Sequence, residues 1–408
     1  MMLDLNRNTQ SVDRPDGLHT HGQLFNRCLD HLARPRLDIF QHSFSSYKVC
    51  GIAGIALALL LNLGLAAHRD SSYWVLAVLT VNALLTFYAL AMATRIIVGN
   101  EMLIYYHHEI AIIVTSGVVL WLLGQPVITY LDHTILGLGM FLACGRLGCL
   151  MVGCCHGRPH RWGICYRPEH AAAGFESYLV GVRLFPIQVL EAVWVLAVMG
   201  AGCMLVLKNY APGEALALYT MAYGAGRFGF EFVRGDSRRP YWLGFSEAQW
   251  TTLILMMLTV SAETRGLLIL HAWHAILAIA VIAVMVITTV IRLTTARGRL
   301  PLHHPGHVRE VAEIIDRLPE RGWGGQQTGM ASVAVSCTST GLQISRGCIN
   351  GPSAIIRHYA LCQKNEPMTT QTARRLGKLI QLLRHPAGVL EIRTGHQGIY
   401  HLLFHLHR

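Results

Sequence analysis

Eight long apolar segments constrain this chain more than any other feature of its sequence. A helix needs about 20 mainly apolar residues to cross the hydrocarbon core of a bilayer. The candidate segments lie at roughly 48–67, 73–94, 102–123, 127–149, 185–207, 213–233, 247–263 and 267–293. With 52% hydrophobic and only 14% charged residues in 408, the composition argues against an all-soluble protein. We therefore expect an all-α polytopic membrane bundle of seven to eight transmembrane helices, joined to a small C-terminal α+β soluble domain.

The distribution of polar residues divides the chain into four parts. Residues 1–46 form a polar extension with five acidic and five basic residues, and they lack the apolar region of a cleaved signal peptide. Residues 47–263 form the transmembrane core. Residues 264–299 add a further transmembrane helix with a basic flank, and residues 300–408 form the small soluble domain.

The C-terminal part shows patterns of both helix and strand. The segment VREVAEIIDRL predicts one helix, and the periodicity of residues 370–385 predicts a second, amphipathic one. Strands are expected at 332–337 and 353–363, followed by an antiparallel pair at 388–393 and 398–405. No catalytic motif is visible there, and we expect no binding of nucleic acid.

The net charge of +11 is concentrated behind the last apolar segment. Residues 294–408 hold 14 Lys and Arg against six Asp and Glu. Such a basic tail can contact anionic lipid headgroups or nucleic acid, or it can serve solubility and topology alone. We favour the simpler alternative of solubility and topology.

The strongest local signal is an arginine among glycines at the end of the fourth apolar segment. The run reads GRLGCLMVGCCHGRP and contains Gly145, Arg146, Gly148, Gly153, Gly157 and Arg158. An arginine within a membrane is costly unless it has an anionic partner. Arg146 therefore either binds an anionic ligand, pairs with a structural carboxylate, or extends its side chain to the membrane interface.

A second charged motif, RFGFEFVRGD, lies at the end of the sixth apolar segment. Arg227 and Glu231 are four residues apart, so on a helix they share one face and can pair. Arg234 follows after about one further turn. The motif alone is compatible with a buried pair that ties helices together. Two helices that deliver arginine to the same membrane face also suggest a phosphate site, because guanidinium groups match phosphate oxygens bidentately.

Four elements of the chain resemble, in the same order, motifs of the prolipoprotein diacylglyceryl transferase family. The first is the glycine- and arginine-rich run above, in a variant with the pattern G-C-x-x-x-G-C-C. The second is FPIQVLE, the third is RFGFEFVRGD, and the fourth consists of Gly244, Ser246 and Gln249. The resemblance covers roughly residues 45–263 and does not extend past the seventh helix.

The resemblance implies an activity and the residues for it. The family transfers diacylglyceryl from phosphatidylglycerol to the lipobox cysteine thiol of a secreted precursor and releases glycerol phosphate, without a cofactor. Arg146 and Arg227 would hold and neutralise the phosphate, and Glu231 would orient Arg227 or the glycerol headgroup. His107, at about the place of a family histidine, would take the thiol proton, or it is a packed or interfacial histidine without that role. Matching motif positions imply substrate binding by Gly145, Gly148, Gly153, Gly157, Arg158, Gln188, Glu191 and Arg234.

The chain departs from the family pattern at several of these positions. Cys149, Val152 and Cys154 stand where the family has asparagines and a glutamate, and Phe185 stands where it has histidine. Losing these groups removes hydrogen bonds to a glycerol headgroup. A lipid substrate is thus better supported than phosphatidylglycerol itself.

Two rival functions remain open. A non-enzymatic membrane protein could use the same pocket to bind and sense phospholipid. A redox or metal-handling protein could use the cysteine cluster, but the spacing lacks the usual C-x2-C of zinc sites. We expect no metal, and on an oxidising face of the membrane we favour a disulfide between Cys165 and Cys154 or Cys155 over a metal site.

The leading hypothesis is a multi-pass transferase of the bacterial inner membrane, with a phospholipid donor and a possible lipoprotein precursor as acceptor. Two signals give opposite orientations for the protein in the membrane. The family's arginine-rich mouth faces away from the cytoplasm, whereas the positive-inside rule puts the face with loops 150–184 and 234–246 in the cytoplasm.

Overall fold

The computed structural model describes residues 19–99, 104–237, 239–295, 304–322, 334–350, 354–364 and 367–407. Helices dominate its first three quarters. In chain order they are α1 His19–Leu32, α2 Ser46–His68, α3 Tyr73–Val98, α4 Tyr105–Leu122, α5 Val127–Val152, α6 Pro168–Ala172, α7 Ile187–Leu207, α8 Glu214–Phe230, α9 Glu247–Thr264, α10 Ala272–Thr295, α11 Pro305–Arg317 and α12 Thr370–Arg384. A helix lies at each of the eight predicted apolar segments.

Five of these helices are long and apolar enough to cross a membrane, counted over the described residues. They are α2, α3, α5, α7 and α10. The three others are shorter or carry buried polar groups: α8 has 17 residues, α4 begins near His108 and Glu109, and α9 ends near Glu263, which pairs with His274 of α10. The chain is a multi-helix membrane protein, and the predicted count of seven to eight spans stays a prediction.

Helix α5 forms the centre of the bundle. It packs along α2 and α7 and also contacts α4 and α8. Buried residues from α2, α4, α5, α7, α8 and α9 form one continuous apolar cluster around it. Glycines permit the close approach of α2, since a Cβ at Gly148 would lie 3.1 Å from the Cys50 Cβ. This packing fixes the end of α5, where Arg146 lies.

Short paired strands lie at one end of the bundle. A hairpin of β1 Arg36–Ile39 and β2 His42–Ser45 leads into α2. Between α5 and α7, β3 Pro159–Cys165 pairs with β4 Arg183–Leu184, and before α9, β5 Tyr241–Trp242 pairs with β6 Phe245–Ser246. Helix α1 lies on β3, where Asp30 forms a 2.9 Å ion pair with Arg183.

The C-terminal domain is a sheet covered by helices. Its strands are β7 Arg321–Gly322, β8 Val335–Cys337, β9 Leu342–Asn350, β10 Ala354–Gln363, β11 Val389–Thr394 and β12 Tyr400–His407. The order is β11-β12-β10-β9-β7, with β8 also paired to β9. The predicted strand-rich character and the β11–β12 pair are confirmed. Strand β9 was not predicted, although Leu342 and Ile344 alternate into the core.

The domain lies against the α5–α7 connection. Val308 and Ala312 of α11 and Leu383 of α12 share an apolar cluster with residues of that connection, among them Tyr166 and Phe175. The Arg384 guanidinium donates a 3.2 Å hydrogen bond to the Tyr178 carbonyl. The connection is thus held between the bundle and the C-terminal domain.

Candidate active site

Two arginines from separate helices meet on one glutamate. Arg146 Nη2, near the end of α5, lies 3.0 Å from Glu191 Oε1, in the first turns of α7. Arg227 Nε of α8 lies 3.6 Å from the same oxygen, and its Nη1 lies 2.5 Å from Glu231 Oε1. The predicted convergence of Arg146 and Arg227 and the predicted Arg227–Glu231 pair are both confirmed.

The segment after α8 adds two further guanidinium groups. Arg234 Nη1 lies 3.9 Å from Glu191 Oε2, and its Nε lies 3.0 Å from Asp236 Oδ1. Arg239 Nη1 lies 2.7 Å from Glu231 Oε1 and its Nε 2.5 Å from Asp236 Oδ2. We call these four arginines with Glu191, Glu231 and Asp236 the arginine cluster.

The arginine cluster is buried and carries more positive than negative charge. Its four guanidiniums face three carboxylates, and the side chains of Arg234 and Glu191 are each only 1% exposed. Buried charges cost several kcal/mol of desolvation per ion unless they are well paired. Among the described atoms, Arg146 Nε and Arg234 Nη1 are buried without a hydrogen-bond partner. The cluster can therefore accept an additional anion.

The charges also fix the ionisation of Asp236, which lies in the loop beyond α8. Burial acts to raise the pKa of Asp236, but Arg234 and Arg239 outweigh it and hold this pKa below the usual range. The carboxylate therefore remains ionised over the physiological range and keeps both guanidinium groups in place.

Backbone contacts join the glycine run to the segment after α8. Gly157 N–H donates to the Phe185 carbonyl at 3.1 Å, and Arg158 N–H donates to the Val233 carbonyl at 3.2 Å. A Cβ at Gly157 would lie 2.5 Å from the Phe185 oxygen, so only glycine fits there. The Arg158 side chain donates to the Arg234 carbonyl at 3.3 Å. Gly157 and Arg158 thus hold the backbone around the arginine cluster.

The other predicted glycines differ in their surroundings. Gly145 has open space beside it, whereas Gly148 faces α2 and Gly153 ends α5 with a left-handed φ of 89°. Gln188 donates to the Cys154 carbonyl at 2.9 Å and so holds the loop after α5. Substrate binding by these residues stays a prediction.

A layer of tyrosines lies next to the arginine cluster, inside the helix bundle. The Tyr223 hydroxyl donates to Glu191 Oε1 at 3.2 Å, and the Tyr223 ring stacks on Tyr219. Tyr105 and Tyr106 of α4 contact the Tyr223 ring edge-on. Tyr223 extends the site toward α4 and was not among the predicted residues.

His107 lies at the start of α4, apart from the arginine cluster. Its Nε2 pairs with Glu247 Oε1 at the start of α9, and both side chains are about two-fifths exposed, at 40% and 41%. Within the described residues no ion pair joins His107 to the cluster. An imidazole held by a carboxylate is a common arrangement for a general base.

Three cysteines gather beside Arg146. The Sγ atoms of Cys149, Cys154 and Cys155 all lie within 4.8 Å of one another. All eleven cysteines are free thiols, including Cys165, so the expected disulfide is not formed. The cysteine-rich loop was predicted from the sequence, but the pairing of Cys165 with Cys154 or Cys155 was wrong.

The thiol of Cys155 is tuned by these neighbours. Hydrogen bonds with the Cys149 and Cys154 thiols hold the pKa of Cys155 well below its usual range, and Arg234 and Arg146 act in the same direction, while burial opposes them. The Cys155 thiol, at the edge of the arginine cluster, thus loses its proton more readily than an ordinary cysteine.

Arg239, Asp236 and Glu247 are site residues that the sequence analysis missed. Asp236 and Arg239 belong to the loop RGDSRRP, in which several charges look alike, and Glu247 reads as the ordinary first residue of a capped helix. Their spacing from Glu231 and His107 along the chain gave no sign of contact.

Comparison with known proteins supports one family. The model of the prolipoprotein diacylglyceryl transferase family matches residues 36–263. The chain is 30% identical over 131 residues to phosphatidylglycerol–prolipoprotein diacylglyceryl transferase 2 of Clostridium perfringens (31% of this chain, 47% of the relative). It is 32% identical over 132 residues to the Dehalococcoides mccartyi transferase of that name (32% and 48%).

The extent of these matches is limited. The chain spans about half the length of the curated relatives it matches, 47% and 48%. The family model, in contrast, covers all of the helices that carry the arginine cluster. The chain belongs to the prolipoprotein diacylglyceryl transferase family.

Proposed function

We propose that this protein transfers a diacylglyceryl group from phosphatidylglycerol, or a related phospholipid, to an acceptor thiol, which is the cysteine of a prolipoprotein. The observation that carries the proposal is the convergence of Arg146 and Arg227 on Glu191 inside a buried cluster with excess positive charge. The family match and the names of the relatives support the same reaction.

The reaction forms one bond and breaks another at a single carbon. The acceptor sulfur attacks the glyceryl carbon that carries the phosphate ester, and the C–O bond breaks. Its electron pair leaves with glycerol phosphate, while the thiol proton goes to a base. Negative charge builds up on the leaving phosphate, so fixed guanidinium groups lower the barrier.

Arg146 and Arg227 bind the phosphate in this proposal. Both are preorganised by Glu191, and Glu231 orients Arg227 through their 2.5 Å contact. Arg234, with a buried Nη1 that lacks a hydrogen-bond partner among the described atoms, supplies a further donor. Charge-assisted bonds to phosphate are about twice as strong as neutral ones.

The remaining predicted residues shape the binding site. Gly145 leaves open space beside Arg146, and Gly157 and Arg158 hold the loop that borders the cluster. Gln188 fixes that loop through the Cys154 carbonyl. These contacts support a role in positioning the headgroup.

His107 is the proposed base for the acceptor thiol. Its pairing with Glu247 orients the ring, and its partial exposure leaves it accessible to a proton donor. Glu247 is then a positioning residue. Because the acceptor sulfur attacks the carbon beside the phosphate, its proton reaches His107 through intervening water.

We further propose that all eight helices α2–α5 and α7–α10 lie in the bacterial inner membrane. The polar groups of α4 and α9 face protein partners, such as Glu247 for His107 and His274 for Glu263, which suits helices inside a bundle. The C-terminal domain then covers the α5–α7 connection from the aqueous side.

The test is a transfer assay with the purified full-length chain. The protein is incubated with phosphatidylglycerol and a lipobox peptide, and mass spectrometry looks for the thioether adduct and for free glycerol phosphate. A matched peptide with serine in place of the lipobox cysteine is the control. Binding of the lipid with neither product would favour the non-enzymatic sensor instead.

A further inference from the structure

The thiols of Cys149, Cys154 and Cys155 have no part in the phosphate chemistry. Their Sγ atoms lie within 4.8 Å of one another, and none is in a disulfide. A zinc ion with Zn–S bonds of about 2.3 Å would place its sulfur ligands about 3.8 Å apart. Small side-chain rotations therefore suffice to bring the three sulfurs onto one ion.

The backbone brings the three sulfurs together at a cost. Gly153 ends α5 in the left-handed region, with φ 89°, and Cys155 adopts a left-handed φ of 55° two residues later. A left-handed conformation costs a non-glycine residue about 1–2 kcal/mol. Such strain is characteristic of functional sites. Here it folds the chain back so that Cys154 and Cys155 reach Cys149.

The surrounding contacts hold this arrangement. Gln188 binds the Cys154 carbonyl at 2.9 Å, and the Tyr166 hydroxyl binds the Leu150 carbonyl at 2.9 Å. Contacts of this kind orient metal ligands in known sites. The site is thus preformed, and does not depend on a flexible loop to close around an ion.

Charge favours a metal–thiolate unit here over a bare cation. Three thiolates around a divalent ion carry one net negative charge. Arg146 and Arg234 act on Cys155 with positive charge, which stabilises such an anionic unit.

The three thiols also leave one side open. Cys149 is buried at 7% exposure, whereas Cys154 is exposed and Cys155 is partly exposed. Zinc sites with three protein ligands keep a fourth position for water or substrate. That position would lie on the side of the triad where Cys154 is exposed.

We propose that Cys149, Cys154 and Cys155 bind a zinc ion whose fourth position takes the acceptor thiol. This inference rests on the proposed function and names how its acceptor is activated. The zinc-bound thiol gives its proton to the base and stays a thiolate. Its sulfur forms the new bond to the glyceryl carbon as the phosphate ester bond breaks. The thioether product is a weaker zinc ligand and dissociates.

The first test is the metal content of the full-length chain, purified with a reductant in the presence of zinc. We expect about one zinc ion per chain, and a loss of at least about 100-fold in zinc affinity in each of Cys149→Ser, Cys154→Ser and Cys155→Ser. Cys144→Ser, on the same helix α5, is the matched control and keeps the metal. Zinc retained in the triple variant, or no stoichiometric zinc in the unmodified chain, overturns the proposal.

The second test replaces zinc with cobalt. We expect thiolate-to-cobalt charge-transfer bands and tetrahedral d–d bands that shift when a lipobox peptide is added and stay unchanged with its serine analogue. A cobalt spectrum that does not change when the cysteine peptide is added overturns the proposal that the fourth position is open to the acceptor. Neither the metal content nor the cobalt spectra depend on the presence of phospholipid. Lipid transfer by fully metal-free protein therefore overturns the zinc proposal alone, whereas Cys-dependent zinc binding without any transfer overturns the proposed function alone.

Discussion

Arg146 and Arg227 reach the same carboxylate oxygen, Oε1 of Glu191, at 3.0 and 3.6 Å. The two arginines come from different helices, α5 and α8, and the glutamate comes from a third, α7. Their guanidiniums are therefore held in place before any anion arrives. A site that is already organised does not have to reorient its dipoles during the reaction, which is the main advantage of electrostatic catalysis.

This arrangement predicts a large loss of lipid transfer when either arginine is replaced by a residue with the same charge but another shape. Arg146→Lys and Arg227→Lys keep a positive charge but lose the planar fork that binds two phosphate oxygens. We expect each to lower kcat by about 100-fold or more, measured as thioether product from a lipobox peptide. Arg265→Lys, at the exposed end of α9, is the control. Near-normal turnover in both cluster variants would remove the phosphate role.

The sequence identified the residues of this site better than the contacts between them. Arg146, Arg227 and Glu231 follow from motifs and helical spacing, because residues four apart share a helix face. Substrate binding by Glu191 stays a prediction, and its contacts with three arginines were not predicted. Contacts between helices depend on how the helices pack, which a single sequence does not encode as a local pattern.

The fold shows the same limit. Long apolar segments predicted every helix of the bundle, since a run of about 20 apolar residues is a local signal. Strand β9, Leu342–Asn350, was missed because Arg346 and Gly347 interrupt its apolar alternation. In the structure, the Arg346 guanidinium donates to the Ile315 carbonyl at 3.2 Å and pairs with Glu320, so the strand tolerates it.

Removing the shared carboxylate should destabilise the whole arginine cluster. Glu191→Gln leaves Arg146, Arg227 and Arg234 without their common counter-charge at a position only 1% exposed. Breaking a buried ion pair from one side costs about 3–5 kcal/mol. We expect a clear drop in the thermal unfolding temperature of the chain in detergent. Glu214→Gln, whose partner His271 has a side chain that is 33% exposed, should change it little, and equal shifts for both would contradict a special role of Glu191.

Helix α11 has two apolar faces, and this allows the docking of the C-terminal domain to be tested by itself. Val311 and Ile315 pack into the domain's own core, whereas Val308 and Ala312 pack against the α5–α7 connection. Ala312→Asp would bury an unpaired charge at this contact alone. We expect faster hydrogen exchange in residues 168–184 and unchanged exchange in β10.

The control for docking is a substitution on a side of the same helix that packs in neither core. Arg317→Gln removes a pair with Glu313 in which the arginine side chain is 77% exposed, and surface pairs of this kind contribute at most about 1 kcal/mol. Exchange in residues 168–184 should therefore stay as in the unmodified chain. Loss of protection throughout β10 in Ala312→Asp would mean that the domain had unfolded and not undocked.

The C-terminal domain should lose stability in mild acid because of His385. Burial and the nearby charges of Arg346, Arg357 and Arg384 lower the pKa of this histidine from 6.5 to about 4. In the folded state the imidazole thus stays neutral where the unfolded chain binds a proton. The stabilisation is present above pH 6.5 and is lost as the pH falls toward 4, by about 2 kcal/mol at pH 5.

Hydrogen exchange of strands β10 and β12 at pH 5 and pH 7, corrected for intrinsic rates, measures this loss. His385→Gln keeps a group that can bond to the Tyr359 hydroxyl, now 2.7 Å from His385 Nε2, but it cannot titrate. We expect His385→Gln to remove most of the difference in exchange between pH 5 and pH 7. His358 and His401, whose pKa values are also lowered by burial, leave a smaller slope of the same sign. If His385→Gln keeps the full pH dependence while the exposed control His396→Gln behaves identically, the acid sensitivity arises elsewhere in the chain.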